Sequence, residues 1–73
     1  MNNDDKFKRI GLRIKELRIK AGYTSYENFA MDNDFARRYY WSVEKGRNIS
    51  MDYFFRLLEA LNTTPEKFFQ NWD

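Results

Sequence analysis

The feature of this sequence that most constrains its fold is a series of short apolar stripes at helical spacing, each closed by turn-forming residues. Phe7, Ile10, Ile14, Leu17 and Ala21 recur every three or four residues, which is one face of an α-helix, and Gly22 follows directly. Lys8, Arg9, Arg13, Lys15, Glu16 and Lys20 fall between them as a solvated face. Later stripes stop at Asn33 and Asp34, at Gly46, and at Asn62 and Thr63. No period-two alternation persists, and there is no internal repeat or low-complexity tract. An all-α chain is expected.

The punctuation places four further helices. Thr24 followed three residues later by Glu27 has the spacing of a capping box, predicting a second helix over residues 25–32 that buries Phe29 and Ala30. A third helix is expected over 37–45, with Ala36, Tyr40, Val43 and Arg47 on one side and Arg38, Ser42 and Lys45 opposite. Trp41, Arg37 and Tyr39 fall on its flanks. Ser50 suits the N-cap of a fourth helix whose expected buried stripe is Met51, Phe54, Phe55, Leu58 and Leu61, with Leu57 beside it. Thr64 and Pro65 suit the start of a fifth over 65–72, pairing Phe68 with Trp72 at i, i+4. Loops this short predict one compact five-helix domain over 1–73, with its core within about 7–70.

A chain of 73 residues must pack richly, because one this short buries only about 60% of its unfolded surface. Seven Phe, five Tyr and two Trp meet that demand. The absence of Cys and His removes disulfides, thiolate metal sites, the commonest general base and the commonest metal ligand. No catalytic residues, metal or cofactor are expected: no nucleophile–base arrangement, glycine-rich phosphate loop or ligand cluster is present. No apolar run approaches the roughly 20 residues that span a bilayer. Met1, Asn2, Asn3, Asp4 and Asp5 lack the basic start and apolar middle of a signal peptide. A cytoplasmic protein without membrane or small-molecule ligand is the expectation.

Charge is segregated along the chain. Residues 1–22 carry +4, 23–36 carry −3, 37–47 carry +3 and 48–73 carry −2. The central basic block coincides with the third helix. A tight turn between two short helices, the second basic outward, is an arrangement that reads DNA in the major groove. Arg37 and Arg38 stand at the N-terminal end, where a guanidinium fork pairs with guanine O6 and N7. Ser42 lies one turn on, and Trp41 is placed either to meet a thymine methyl or sugar, or to pack on a neighbouring helix. Lys45, Arg47 and Asn48 suit phosphates, as do the backbone amides that open the second and fourth helices.

These segments, in order, resemble the lambda-repressor-like helix-turn-helix family of Cro and XRE-type regulators. The likeness lies in Ile10-Gly11-Leu12-Arg13-Ile14-Lys15-Glu16-Leu17-Arg18, in Phe29-Ala30 followed by Glu44-Lys45-Gly46, and in Leu57-Leu58-Glu59-Ala60-Leu61-Asn62 leading to Thr64-Pro65-Glu66-Lys67-Phe68-Phe69. It implies a helix-turn-helix formed by helices 2 and 3, and a transcriptional regulator binding double-stranded DNA as a homodimer on a palindromic site. It implies base contacts from Arg37, Arg38 and Ser42, and backbone contacts from Ser25, Tyr26, Tyr39, Lys45, Arg47 and Asn48. It also implies a structural ion pair between Arg18 and Glu44. The segment from Gly22 to Phe29 is one residue longer than the usual form, Asp34 stands where a turn glycine is usual, and Ala36 where Ser or Thr caps the reading helix. The alternative is a protein-interaction module, antitoxin-like or an adaptor, using Trp41 and Tyr39 or the far side of the first helix at Leu12 and Ile19. Phe69, Trp72 and the Leu12/Ile19 patch are the candidate dimer surfaces.

Overall fold

The computed structural model describes residues 3–72. Of the expected 1–73 domain, Met1, Asn2 and Asp73 lie outside the described residues. The elements are α1 (Asn3–Lys20), α2 (Tyr26–Asp32), α3 (Arg37–Glu44), α4 (Met51–Ala60) and α5 (Pro65–Phe68), with no strand among the described residues. No helix among them is long and apolar enough to cross a membrane.

The first four helices end by one device. Gly22, Asp34, Gly46 and Asn62 take left-handed conformations, with φ of 98°, 60°, 107° and 54°. The next amide then reaches back over the helix end: Tyr23 to the Arg18 carbonyl at 3.1 Å, Phe35 to Ala30 at 2.8 Å, Arg47 to Ser42 at 3.1 Å and Thr63 to Leu58 at 3.0 Å. Each closure satisfies carbonyls that the helix leaves orphaned. Asp34 therefore occupies the left-handed position usually given to glycine. Ala21 belongs to the first of these turns and is exposed, not part of the buried stripe.

The N-termini depart from expectation at α2. Ser25, not Thr24, is the cap, its Oγ accepting from the Asn28 amide at 3.3 Å. The capping box fails because Glu27 then sits at the second helical position, from which it cannot return to the cap. Ser50 and Thr64 cap α4 and α5 as expected, whereas Ala36 gives α3 no side-chain cap.

Phe29 centres the core, with Tyr23, Phe35 and Tyr40 rings at 5.3, 6.1 and 5.1 Å. Ile14, Val43, Phe54, Leu57, Leu58, Leu61 and Phe68 complete it. On α4 the buried stripe is Phe54, Leu57, Leu58 and Leu61; Met51 and Phe55 are exposed. On α3, Tyr40, Val43 and Glu44 are buried, while Ala36 and Arg47 face solvent. The helix α5 stops at Phe68, four residues short of expectation, because α1 captures its end. Arg13 Nη1 donates to the Phe68 carbonyl at 2.6 Å and to that of Gln70 at 3.3 Å. Asn71 then turns with φ 63°, and Trp72 lands against Phe69 and beneath the Arg9 guanidinium at 4.1 Å. The expected Phe68–Trp72 pair is replaced by an edge-on Phe54–Phe68 contact.

Where α1 crosses α3, Gly11 meets main chain. A Cβ there would lie 2.5 Å from the Val43 carbonyl oxygen and 2.6 Å from that of Glu44. Only a residue without a side chain permits this approach. Gly11→Ala must push the two helices apart, and is expected to cost about 1–3 kcal/mol in urea-melt stability.

Candidate nucleic-acid interface

The buried side of α3 is held by a polar cluster as well as by the core. Arg18 Nε donates to Glu44 Oε2 at 2.7 Å and Nη2 to Oε1 at 3.2 Å, a two-pronged pair with side chains 4% and 2% exposed. The Tyr40 hydroxyl donates to Glu44 Oε2, and Arg18 Nη1 donates to the Tyr23 carbonyl at 2.7 Å. The carboxylate thus has three donors, and the guanidinium ties α1, α3 and the loop before α2 together. The hydrogen bond to Glu44 raises the Arg18 pKa above its ordinary value. Burial, then the bond to Glu44, raises that of Tyr40 well above the phenol range.

With that side fixed, the opposite side of α3 faces solvent. Arg37 and Arg38 are both exposed. Arg37 Nη1 lies 3.9 Å from Glu27 Oε2, both side chains more than half exposed, a pairing that is loose and strongly screened. Arg38 has no side-chain hydrogen bond or ion pair among the described residues. Neither Asp32 nor Asp34 ties up these guanidiniums; Asp32 accepts from the Tyr23 hydroxyl at 3.0 Å. Tyr26, Glu27, Arg37, Arg38 and Trp41 line a shallow depression of about 510 Å³ at this end of the helix.

Other expected contact residues have structural partners. Trp41 stacks on Tyr26 of α2, with ring centroids 4.2 Å apart and planes at 27°, and Lys45 Nζ lies 4.4 Å from its ring centre. Trp41 thus packs on a neighbouring helix, while 39% of the residue stays exposed. Ser42 is half-buried and donates its hydroxyl proton to the Tyr39 carbonyl at 2.6 Å. It keeps only acceptor capacity, part of which meets Arg47 Nη1 at 3.4 Å. It is therefore a poorer outward group than its place opposite Tyr40 implied. Ser25 is occupied as the α2 cap, though its hydroxyl proton remains available. Tyr39 carries the Arg47 guanidinium over its ring at 4.4 Å and meets Tyr53 edge-on at 4.9 Å. Lys45, Arg47 and Asn48 are exposed at the far end of α3. The result is a ridge with two arginines at one end and two cations and an amide at the other.

Sequence reasoning missed the Tyr26–Trp41 stack, the Arg47–Tyr39 support and the role of Gly11. The Tyr26–Trp41 stack and Gly11 carry no periodic or local signal, since each joins residues that only the packed helices bring together, and the Arg47–Tyr39 contact forms where the turn after α3 folds back on that helix. Among the described residues, no three His, Cys, Asp or Glu side chains gather where they would hold a metal ion. Neither a protein-family model nor a curated protein sequence matches this chain.

Two stability predictions follow from the buried polar groups. Glu44→Ala leaves the Arg18 guanidinium buried without its anion and is expected to cost about 3–5 kcal/mol, read from urea midpoints. The Tyr53 hydroxyl is buried with no hydrogen-bond partner among the described residues, and burial, then the neighbouring Tyr39, pushes its pKa up to about 12. Below pH 10 neither folded nor unfolded chain ionises this group. Above it the unfolded tyrosine loses its proton while the folded one keeps it, so stability falls as pH rises from about 10 to about 12. Tyr53→Phe should add about 1 kcal/mol at neutral pH and make that alkaline decline shallower, the part due to Tyr40 remaining, measured by denaturant melts across the range.

Proposed function

We propose that this chain is a sequence-specific double-stranded-DNA-binding protein acting as a transcriptional regulator, with α3 as the element that enters the major groove. The observation that carries this reading is the exposed Arg37–Arg38 pair at the N-terminal end of a short helix whose other side is clamped by Arg18, Glu44 and Tyr40. A fixed helix presenting flexible guanidinium forks is what base recognition requires, because the scaffold bears the ordering cost and the fork supplies the paired donors. Helices α2 and α3 form the helix-turn-helix, with Asp34 making the turn.

Lys45, Arg47 and Asn48 contact phosphates in this reading, and Tyr39 orients Arg47 by lying beneath it. Tyr26 and Trp41 together brace α2 against α3, leaving the Trp41 edge beside Arg37 and Arg38. Base contacts are assigned to Arg37 and Arg38 first, with Ser42 restricted to accepting. Each phosphate neutralised releases counterions, so affinity falls steeply with salt. The lambda-repressor-like resemblance of the sequence agrees with this assignment.

Selection from a random duplex pool at low salt is expected to enrich a defined site. On that site Arg38→Ala should cost roughly 1–3 kcal/mol and relax preference at one base pair. Lys45→Ala should weaken binding about equally on all sequences and reduce the salt slope by about one. A pool that shows no enrichment overturns the reading.

A further inference from the structure

We propose that copies of this chain associate head to tail, the basic groove between α1 and α3 receiving the acidic apolar face of α4 from the next copy. The groove is an open cavity of about 420 Å³ lined by Lys8, Leu12, Lys15, Trp41, Glu44 and Lys45. Leu12 is 57% exposed, and Trp41, stacked on Tyr26 and with Lys45 Nζ 4.4 Å from its ring centre, is 39% exposed, giving the groove a partly apolar floor. Glu44 is already neutralised by Arg18, so three lysines set the charge of the rim. Glu16 lies only about 40° round α1 from Leu12, so one carboxylate borders the three lysines and the rim keeps a smaller net positive charge.

The complementary face is on α4. Met51 and Phe55, one turn apart, are 64% and 47% exposed. Asp52 and Glu59 fall on the same side of the helix and are exposed as well. Phe69 of α5 is 37% exposed and meets the same Phe54 ring that Phe55 does, extending the apolar strip. The nearest cation on α4, Arg56, is turned over Phe35 and Tyr53 at 5.0 and 5.8 Å, which draws its charge toward the core edge.

Charge decides between symmetric and directional pairing. Either face placed on its own copy by a two-fold axis opposes lysine to lysine or carboxylate to carboxylate. Basic face on acidic face removes both repulsions and covers the apolar residues of each. Such a contact is heterologous, so each copy retains one open face of each kind and growth continues past two. The two-fold homodimer implied by the family resemblance would need a self-complementary face, and neither of these is one. The groove shares Lys45 and Trp41 with the proposed DNA-facing ridge, so the contact would compete with DNA, and it is tested without DNA.

Sedimentation equilibrium of the whole chain at low salt should show an apparent mass that rises between about 50 µM and about 1 mM, past the dimer, as expected of a small interface. At about 1 M salt, where charges beyond ~3 Å are screened, the rise should shrink severalfold. Lys15→Glu alone and Glu59→Lys alone should each stay monomeric over this range, both positions being exposed and outside the DNA ridge. An equimolar mixture of the two variants restores one unaltered basic-to-acidic contact and sets the two charge-reversed faces opposite each other, and should associate where neither variant does alone. A wild-type chain that stays monomeric overturns the proposal and leaves the groove to an acidic partner of another kind. One that stops at the dimer, or variants whose mixture remains monomeric, overturns the directional contact. Unchanged circular dichroism of both variants would exclude misfolding as the cause.

Discussion

The contact between Arg18 and Glu44 organises this molecule. Removing two charges from water costs several kcal/mol per ion, and the arrangement survives only because every strong acceptor and donor near it is matched. The carboxylate takes two prongs of the guanidinium and the Tyr40 hydroxyl, and the remaining arginine nitrogen takes the Tyr23 carbonyl. A slip of α3 by one residue would strand a charge in the core. The pair therefore selects one register of α3 on α1, where apolar packing alone would accept several.

Gly11 acts on the same crossing from the main-chain side. The last carbonyls of α3 approach it so closely that the backbone itself is the contact surface. The C-terminal half of α3 is thus held twice by α1, through the backbone at Gly11 and the side chain at Arg18. Its start is held by the turn at Asp34, and its middle by α2 through the Tyr26–Trp41 stack. With both ends held, the rotation of α3 about its axis is determined, and Arg37 and Arg38 face outward as a consequence. The orientation of the ridge is a product of the buried side of the helix.

The surface that remains is divided by sign. Cations crowd the α1–α3 side and the ends of α3, while acids rim the exposed apolar strip of α4. Small domains leave apolar side chains outside because their surface is large for their volume. Here Leu12 and Trp41 lie beside the lysines of the first face, and Met51 and Phe55 beside the acids of the second. For the partners proposed above, a polyanion or another copy, that arrangement favours directional, salt-sensitive association.

What the sequence determined by itself is the set of local decisions. Helix ends at Gly22, Asp34, Gly46 and Asn62, and caps at Ser50 and Thr64, depend on the conformational range or side-chain oxygen of one residue, so they are legible without knowing what lies nearby. Helical period set Arg38 opposite Tyr40 and left Arg37 on a flank, and the Arg18–Glu44 pairing was legible through the family resemblance. The tertiary structure decided whatever depended on a neighbour. It chose Leu57 over Met51 and Phe55 for burial on α4, moved the α2 cap from Thr24 to Ser25, ended α5 at Phe68 through Arg13, and spent the Ser42 proton on its own helix. Burial on α4 and the end of α5 depend on which side chains arrive from distant parts of the chain, and no local signal carries that.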